Sequence, residues 1–513
     1  MGERFNAAEW LLDRHLLDGR GDRVAVEWTG GTLTYEALAG MSRRAGAHLR
    51  ALDVREEERV ALVANDEPGW IAYFLGAMRI GAVPVPLSTM LTAGELGWIV
   101  DDARARVVVV SGAYAPSLDE MRAKAADLER AVVLDDTPAE SAVEVHRWAD
   151  APDGTDLAPA RTTGDSPGFW LYTSGTTGSP KGAMHRHVDL QATADTYART
   201  VLEIRPDDRC YSVAKLFFAY GLGNSLTFPL SVGATAVLNP APPTPASVAD
   251  LVTTYRPTLF FAVPGFYAAL CDAGLPADTF ASVRRAVSAG EAMPAPLHER
   301  VRDRFGLDVL DGIGTTEALH IFLSNQPGTA RPGTSGIAVA GYEVKLVDDE
   351  GRDVTEPDVP GNLHVQGESV TTGYWCRTEA TRNALIGPWL RTGDVYTRTA
   401  DGFYQFLGRS SDVIKQGGIW VSPAEVETAL VAHADVLEAA VVGSRDADGL
   451  EVVVAFVVAR AGATLDLDEL QAHCRSRMAA FKRPREIHVV DALPKTATGK
   501  VKRFELRDSL ATG

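Results

Sequence analysis

The sequence predicts an α/β protein, with a large N-terminal region of several subdomains and a small, mobile α+β domain at the C-terminal end. Three observations carry that prediction. Apolar runs too short for helices recur between stretches of helical spacing, the pattern of α/β layers. The chain is 513 residues long, more than one ordinary core holds. Near Gly408 the character changes: Gly, Ser and Asp cluster at 408–412, and a compact stretch the size of a small domain follows. The expected division is 1–408 and 409–513.

The first clear unit lies at 59–87. Residues 60–64 are a short apolar run, Asn65 and Asp66 read as cap residues, and Pro68 suits a first helical turn. Helical apolar spacing follows from Trp70 to Ile80, Gly81 stops it, and 83–87 is a second apolar run. This is a strand–helix–strand unit with a parallel pair. The strand signal returns at 107–110, 131–134 and 283–288. Residues 259–270 read as a buried strand and the start of a helix, because Pro264 and Gly265 interrupt the run. Residues 240–245 are a short Pro-rich surface loop. Beyond 408, a helix is expected from about Pro423, strands at 439–442 and 452–458, and a helix over 467–478.

Composition excludes several classes. Hydrophobic residues make up 46% and charged residues 23%, ordinary for a globular enzyme. Fifty Lys and Arg against 68 Asp and Glu give a net charge of −18. A nucleic-acid partner would demand a basic face, so none is expected, and an anionic substrate needs a local positive site. Cys210, Cys271, Cys376 and Cys474 are far apart and form no C-x-x-C pair, so reduced, mostly buried thiols are expected rather than a zinc site or disulfides. Glu3, Arg4, Glu9, Asp13 and Arg14 do not make a signal peptide. No apolar run approaches the roughly 18 residues of a membrane helix. A soluble cytoplasmic protein is expected, with no membrane partner, as a monomer or homodimer.

The densest chemical signal is Tyr172-Thr173-Ser174-Gly175-Thr176-Thr177-Gly178-Ser179-Pro180-Lys181-Gly182, directly after an apolar run at 168–172. Glycines let backbone approach a phosphate closely, hydroxyls and N–H groups supply donors, and Lys181 adds charge. The spacing is not that of a Walker loop. A plain Ser/Thr/Gly linker is the bland alternative, but linkers seldom end in Pro-Lys-Gly after a buried strand.

This loop resembles the phosphate loop of the adenylate-forming superfamily: acyl- and aryl-CoA ligases, carrier-protein adenylation domains and firefly-type luciferases. Further signatures follow in the same order. They are Ser288-Ala289-Gly290-Glu291, Asp311-Gly312-Ile313-Gly314-Thr315-Thr316-Glu317, Arg391-Thr392-Gly393-Asp394, Gly408-Arg409 and Leu493-Pro494-Lys495-Thr496-Ala497-Thr498-Gly499-Lys500. The resemblance covers essentially the whole chain.

The resemblance implies ATP, Mg²⁺ and coenzyme A as cofactors, and a role for each motif. Thr173, Ser174, Gly175, Thr176, Thr177, Gly178 and Lys181 cradle phosphate. Thr316 meets the nucleotide phosphate and Glu317 holds Mg²⁺. Ala289, Gly290, Asp311 and Gly312 frame the adenine, with Glu291 closing the same motif. Asp394 accepts from the ribose hydroxyls, assisted by Arg409. Lys500, a long mobile point charge, meets the negative charge that develops as a carboxylate attacks the α-phosphorus. Catalysis of this kind is positioning and charge neutralisation.

The acid is implied by two stretches, 214–224 and 318–325, which resemble the benzoate-CoA ligase branch, as does Pro332-Gly333-Thr334-Ser335-Gly336. In that branch these stretches line the acid pocket. Ala219 and Tyr220 then touch the ring, Lys215 and Phe218 flank them, and Gly312, Ile313 and Gly314 form a flat wall. His320 is the polar contact, although a lone His among apolar residues is more often a core residue. A flat, mostly apolar slot favours benzoate or a weakly substituted benzoate over a fatty acid.

The thiol acceptor is implied by residues 415–425, which resemble the loop lining the pantetheine tunnel, with Gly417 and Gly418 giving the arm close passage. Phe481 stacks on, and Arg483 meets a phosphate of, the CoA nucleotide. A solvated basic turn is the alternative for Lys482 and Arg483. Ser411 stands at the hinge where Asp or Lys is usual. The expected function is an AMP-forming aryl-CoA ligase. The alternative loads the acyl group onto an acyl carrier protein as a biosynthetic starter unit, through the same tunnel.

Overall fold

The computed structural model describes residues 3–173, 179–410, 412–416, 419–445, 451–495 and 501–511. They form two compact units, one of residues 1–343 with 366–390, the other of 344–365 with 391–513.

Two parallel sheets organise the first unit. The smaller has five strands in the order Val83–Pro86, Arg59–Val63, Val107–Val110, Arg130–Val133 and Glu144–Arg147. Every neighbouring pair in it is parallel. The larger has nine strands. Its parallel centre runs Val24–Trp28, Thr235–Val237, Arg209–Ser212, Leu259–Ala262, Arg285–Ser288 and Val309–Gly314. Antiparallel strands close both edges. Strands buried on both faces must be continuously apolar, which is why runs such as Val107–Val110 carry no alternation.

The strand–helix–strand unit forms as expected, with helix Pro68–Arg79 between parallel strands and Gly81 at φ +77° ending it. The expected capping does not. The N-cap is Glu67, with no side-chain cap bond. Asp66 turns away and accepts from the backbone N–H of Leu216 at 3.0 Å, a tertiary contact that outcompetes a local cap. Residues 259–270 split into strand Leu259–Ala262 and helix Pro264–Asp272. The Pro-rich stretch ends by opening a helix, Pro245–Tyr255, capped by Thr244.

The second unit holds antiparallel strands that include Trp389–Arg398 and Tyr404–Arg409, paired so that Asp394 faces Arg409. It also holds a three-stranded sheet, Val436–Arg445, Glu451–Ala459 and Glu486–Val489, flanked by helices Pro423–Val431 and Leu467–Arg477. Val441, Val453, Val457, Leu430 and Leu470 are among its buried core. No helix among the described residues is long and apolar enough to cross a membrane. All four cysteines are free; Cys210 and Cys474 are buried, but Cys376 is exposed.

Candidate active site

The phosphate-loop motif sits on an antiparallel hairpin. Strand Pro167–Thr173 pairs with Lys181–Arg186, and Thr173 is the register partner of Lys181. Ser174, Gly175, Thr176, Thr177 and Gly178 lie outside the described residues. Lys181 places its Nζ 5.6 Å from the ring centroid of Tyr374. The Tyr374 hydroxyl donates to Glu317 Oε1 at 2.7 Å, so loop lysine, aromatic ring and acidic residue are contiguous. Burial and the neighbouring Glu317 carboxylate push the Tyr374 phenol well up.

Glu317 follows the end of Val309–Gly314, at the carboxyl edge of the parallel strands, where open α/β sheets bind ligands. Its segment is fixed from several sides. The Thr316 carbonyl lies 2.9 Å from Nε2 of His185, whose Nδ1 lies 3.1 Å from Asp189 Oδ2. The His185 ring stacks on Phe169 at 5.1 Å. The Thr371 N–H donates to the Glu317 carbonyl at 2.7 Å. Leu319 takes φ +67°, a left-handed turn unusual for a side chain of that size, which sets His320 just ahead of strand Ile321–Ser324. Among the described residues no group of three or more His, Cys, Asp or Glu side chains converges to hold a metal.

Asp311 is buried at the edge of the same sheet, as register partner of Ser288. Its Oδ2 accepts from the Met293 N–H at 3.3 Å, which ties the Ala289-Gly290-Glu291 segment to it. Burial pushes its carboxyl up to about 8. Gly290 has φ +94°. Gly312 and Gly314 lie flat against the antiparallel chain beside them: a Cβ on Gly312 would stand 2.7 Å from the Leu323 carbonyl oxygen, and one on Gly314 2.4 Å from that of His320.

The aromatic stretch forms the short helix Ala219–Leu222, with Phe218 at its N-cap. It continues through a π-turn, Gly223–Thr227, whose extra residue per turn sets Asn224 against His320. The Tyr220 hydroxyl donates to the Val287 carbonyl at 3.3 Å, and its ring centroid lies 5.6 Å from that of His320. His320 is buried among Tyr197, Tyr220 and Phe228, and burial pushes it down to about 3, so it is neutral. Lys215 is spent elsewhere: its ammonium donates to the carbonyls of Asn239 and Ala241.

In the second unit, Arg409 Nε lies 3.1 Å from Asp394 Oδ1 and its Nη1 donates to the Thr392 carbonyl at 3.1 Å. Phe481 lies on the turn Ala480–Lys482. Arg483 donates to the carbonyls of Met478 and Arg475, closing the end of helix Leu467–Arg477. Lys482 pairs with Glu425 at 2.6 Å. Ser411, Gly417, Gly418 and Lys500 lie outside the described residues.

Comparison with known proteins decides the family. The AMP-binding enzyme family matches residues 13–375, and the AMP-binding enzyme C-terminal domain matches residues 425–500. The chain belongs to the AMP-binding enzyme family. This AMP-binding enzyme is 44% identical to a benzoate–CoA ligase of Thauera aromatica, over 99% of this chain and 96% of that one. It is 42% identical to a 4-hydroxybenzoate–CoA/benzoate–CoA ligase of Rhodopseudomonas palustris, over 99% and 95%. Among solved structures, an anthranilate CoA ligase in complex with anthranoyl-AMP superposes with a TM-score of 0.93 at 39% identity, covering 100% of this chain and 99% of that one. A benzoate CoA ligase from Burkholderia xenovorans superposes at 0.88 with 40% identity, covering 98% and 100%.

Tyr374, His185 and Asp189 of this AMP-binding enzyme lie outside the sequence motifs, and Asn224, at the end of the 214–224 stretch, gains a partner the sequence does not show. Their partners are distant in sequence: Tyr374 meets Glu317, His185 meets Thr316, and Asn224 meets His320. The one available signal was the aromatic pair Tyr374-Trp375 directly after Gly373.

Proposed function

We propose that this chain is an ATP-dependent, AMP-forming aryl-CoA ligase acting on a benzoate-type acid. The carboxylate attacks the α-phosphorus of ATP and pyrophosphate leaves. The CoA thiol then attacks the acyl carbon, loses its proton, and AMP leaves. The observation that carries this proposal is full-length similarity to two benzoate-activating CoA ligases, at 44% and 42% identity. CoA is accordingly favoured over a carrier protein as acceptor.

The roles we assign follow the chemistry of each position. Thr173, Lys181, Thr316 and the 174–178 loop hold the phosphates. Glu317 offers a carboxylate to Mg²⁺ that is otherwise bound by the nucleotide; one protein carboxylate plus substrate phosphates is how this cation is commonly held. The fit is supported by Glu317 itself, whose Oε1 takes one donor while Oε2 takes none among the described residues. Ala289, Gly290, Asp311 and Gly312 frame the adenine, with Glu291 closing the same motif. Asp394 with Arg409 takes the ribose, and Lys500 the reacting centre. Ala219, Tyr220, Gly312, Ile313, Gly314 and His320 form the acid slot, with Phe218 beside them. Phe481, Gly417 and Gly418 serve CoA, and Ser411 serves a hinge between domains 1–408 and 409–513. The enzyme acts in the cytoplasm.

The test is pyrophosphate release with ATP, Mg²⁺ and a panel of benzoate, aminobenzoates, hydroxybenzoates, cinnamate and octanoate, with and without CoA. Fast release with benzoate and accumulation of benzoyl-CoA are expected. Adenylate formation that CoA does not carry forward, or reaction with octanoate alone, would overturn the proposal.

A further inference from the structure

We infer that Tyr374 is a positioning residue for adenylation, holding Glu317 in the orientation that receives the divalent cation of the nucleotide. The inference rests on the assignment of Glu317 as the cation-facing carboxylate.

Residues 371–375 lie along the lysine arm of the hairpin and hydrogen-bond to it. The Met184 N–H donates to the Gly373 carbonyl at 2.9 Å, Trp375 N–H to Gly182 at 2.9 Å, and Thr372 N–H to Met184 at 3.1 Å. Ala183 and Tyr374 form an isolated antiparallel bridge. The same short segment grips Glu317 twice, by the Thr371 N–H on its carbonyl and by the Tyr374 hydroxyl on Oε1, at 2.7 Å each. It is itself anchored: Tyr374 N–H donates to Thr381 Oγ1 at 2.9 Å, and the Trp375 indole N–H to the Asp102 carbonyl at 2.9 Å. The segment therefore ties the phosphate-loop hairpin to the acidic residue through hydrogen-bonded backbone.

The chemistry of the side chain matters as much as its place. A phenol donates a hydrogen bond without bringing charge, so Glu317 keeps its full negative charge. An Arg or Lys in its place would neutralise the carboxylate. The ring face holds Lys181, which makes no ion pair with Glu317 among the described residues. Tyr374 thus keeps a cation for phosphate and an anion for the metal in neighbouring positions without letting them cancel.

Tyr374→Phe removes the donor and keeps the ring under Lys181. In full-length enzyme, the Mg²⁺ concentration giving half-maximal pyrophosphate–ATP exchange is expected to rise about tenfold, with the rate at saturating Mg²⁺ within about threefold of the parent. Mn²⁺ binding to the ATP-loaded enzyme without aryl acid, read by electron paramagnetic resonance, weakens by a similar factor. Glu317→Gln is measured in parallel, and the double variant is expected to lose no more than Glu317→Gln alone. If Glu317→Gln leaves Mn²⁺ binding intact, the assignment of Glu317 fails. If Glu317→Gln loses Mn²⁺ but Tyr374→Phe keeps the parent Mg²⁺ dependence, or loses rate with no shift in it, the Tyr374 inference is overturned. Tyr374→His, whose shorter ring falls short of Oε1, carries the same titration and the same outcomes should Tyr374→Phe not fold.

Discussion

His320 and Asn224 form a buried polar pair, with Nε2 of the imidazole 3.2 Å from Oδ1 of the amide. The amide oxygen only accepts, so Nε2 carries the proton and Nδ1 is the bare nitrogen. Nδ1 has no hydrogen-bond partner among the described residues. Burial pushes His320 down to about 3, so the ring stays neutral across the working pH range. A neutral imidazole of fixed tautomer is a polar point in an otherwise aromatic wall, and it adds no charge near a carboxylate substrate.

Asn224→Ala removes the group that fixes this tautomer. The variant is expected to lose about 1–3 kcal/mol of stability, because a buried donor is left unsatisfied. The KM for benzoate is expected to rise by about threefold to tenfold, with the KM for ATP unchanged within about twofold. Steady-state kinetics with each substrate varied in turn decides it. A rise in the ATP KM with the benzoate KM untouched would count against placing His320 at the acid slot.

Gly223→Ala tests the same wall from the other side. A Cβ on Gly223 would stand 2.4 Å from Cδ2 of His320, closer than carbon atoms approach. The ring must move, and Phe228, with its ring centroid 4.5 Å away, limits where it goes. Overpacking of this kind costs about 1–3 kcal/mol. Selectivity between benzoate and the hydroxybenzoates, measured as a ratio of kcat/KM, is expected to change more than the rate with ATP varied. An unchanged ratio would show that His320 does not face the acid.

Much of this was legible in the sequence because it is local. Pro68 and Pro423 open helices, Gly81 ends one, and the run Val107–Val110 is a buried strand, each readable within a few residues. The glycines at 312 and 314 stand out in the sequence, and the structure shows what they accommodate, the carbonyl oxygens of Leu323 and His320 where a Cβ would stand. What stayed hidden depends on distant partners. Asp66 reads as a cap, yet Leu216 claims it; Lys215 reads as a pocket residue, yet its ammonium binds the carbonyls of Asn239 and Ala241. Tyr374 sits outside every motif, and only the folded chain brings it to Glu317.

Asp311→Asn probes the buried carboxyl beside the proposed adenine site. Burial holds its pKa at about 8, against about 3.8 when unfolded, so it is largely protonated at pH 7. A group raised in this way contributes stability below pH 3.8 and loses it as pH rises through 8. Asn resembles the protonated acid and does not titrate. The variant is expected to melt higher than the parent at pH 8, with the gap narrowing at pH 5, and to keep its ATP KM within about threefold. A variant that melts lower at pH 8 than the parent, by the same margin as at pH 5, would show that Asp311 is ionised in the fold.

Acid should destabilise the first unit, and the direction follows from its histidines. His15, His48 and His187 are pushed down to about 4 and His320 to about 3, each chiefly by burial, from about 6.5 when unfolded. Each takes up a proton on unfolding in that window, so its contribution is complete above pH 6.5 and lost as pH falls toward 4. Asp66, raised to about 6, Asp311, raised to about 8, and Glu67, also raised by burial, act in the opposite sense because the fold holds their protons. Four histidines against three carboxyls leave a net uptake of protons near pH 5. Stability should therefore fall on the order of 1 kcal/mol per pH unit for each of these protons. Calorimetry at pH 7, 6 and 5, in buffers of different ionisation enthalpy, reads both the melting temperature and the proton uptake. A melting temperature that holds or rises on acidification, or proton release in place of uptake, would show that these rings are not held neutral. His187→Gln should flatten the dependence, since burial alone accounts for the lowered value at that position.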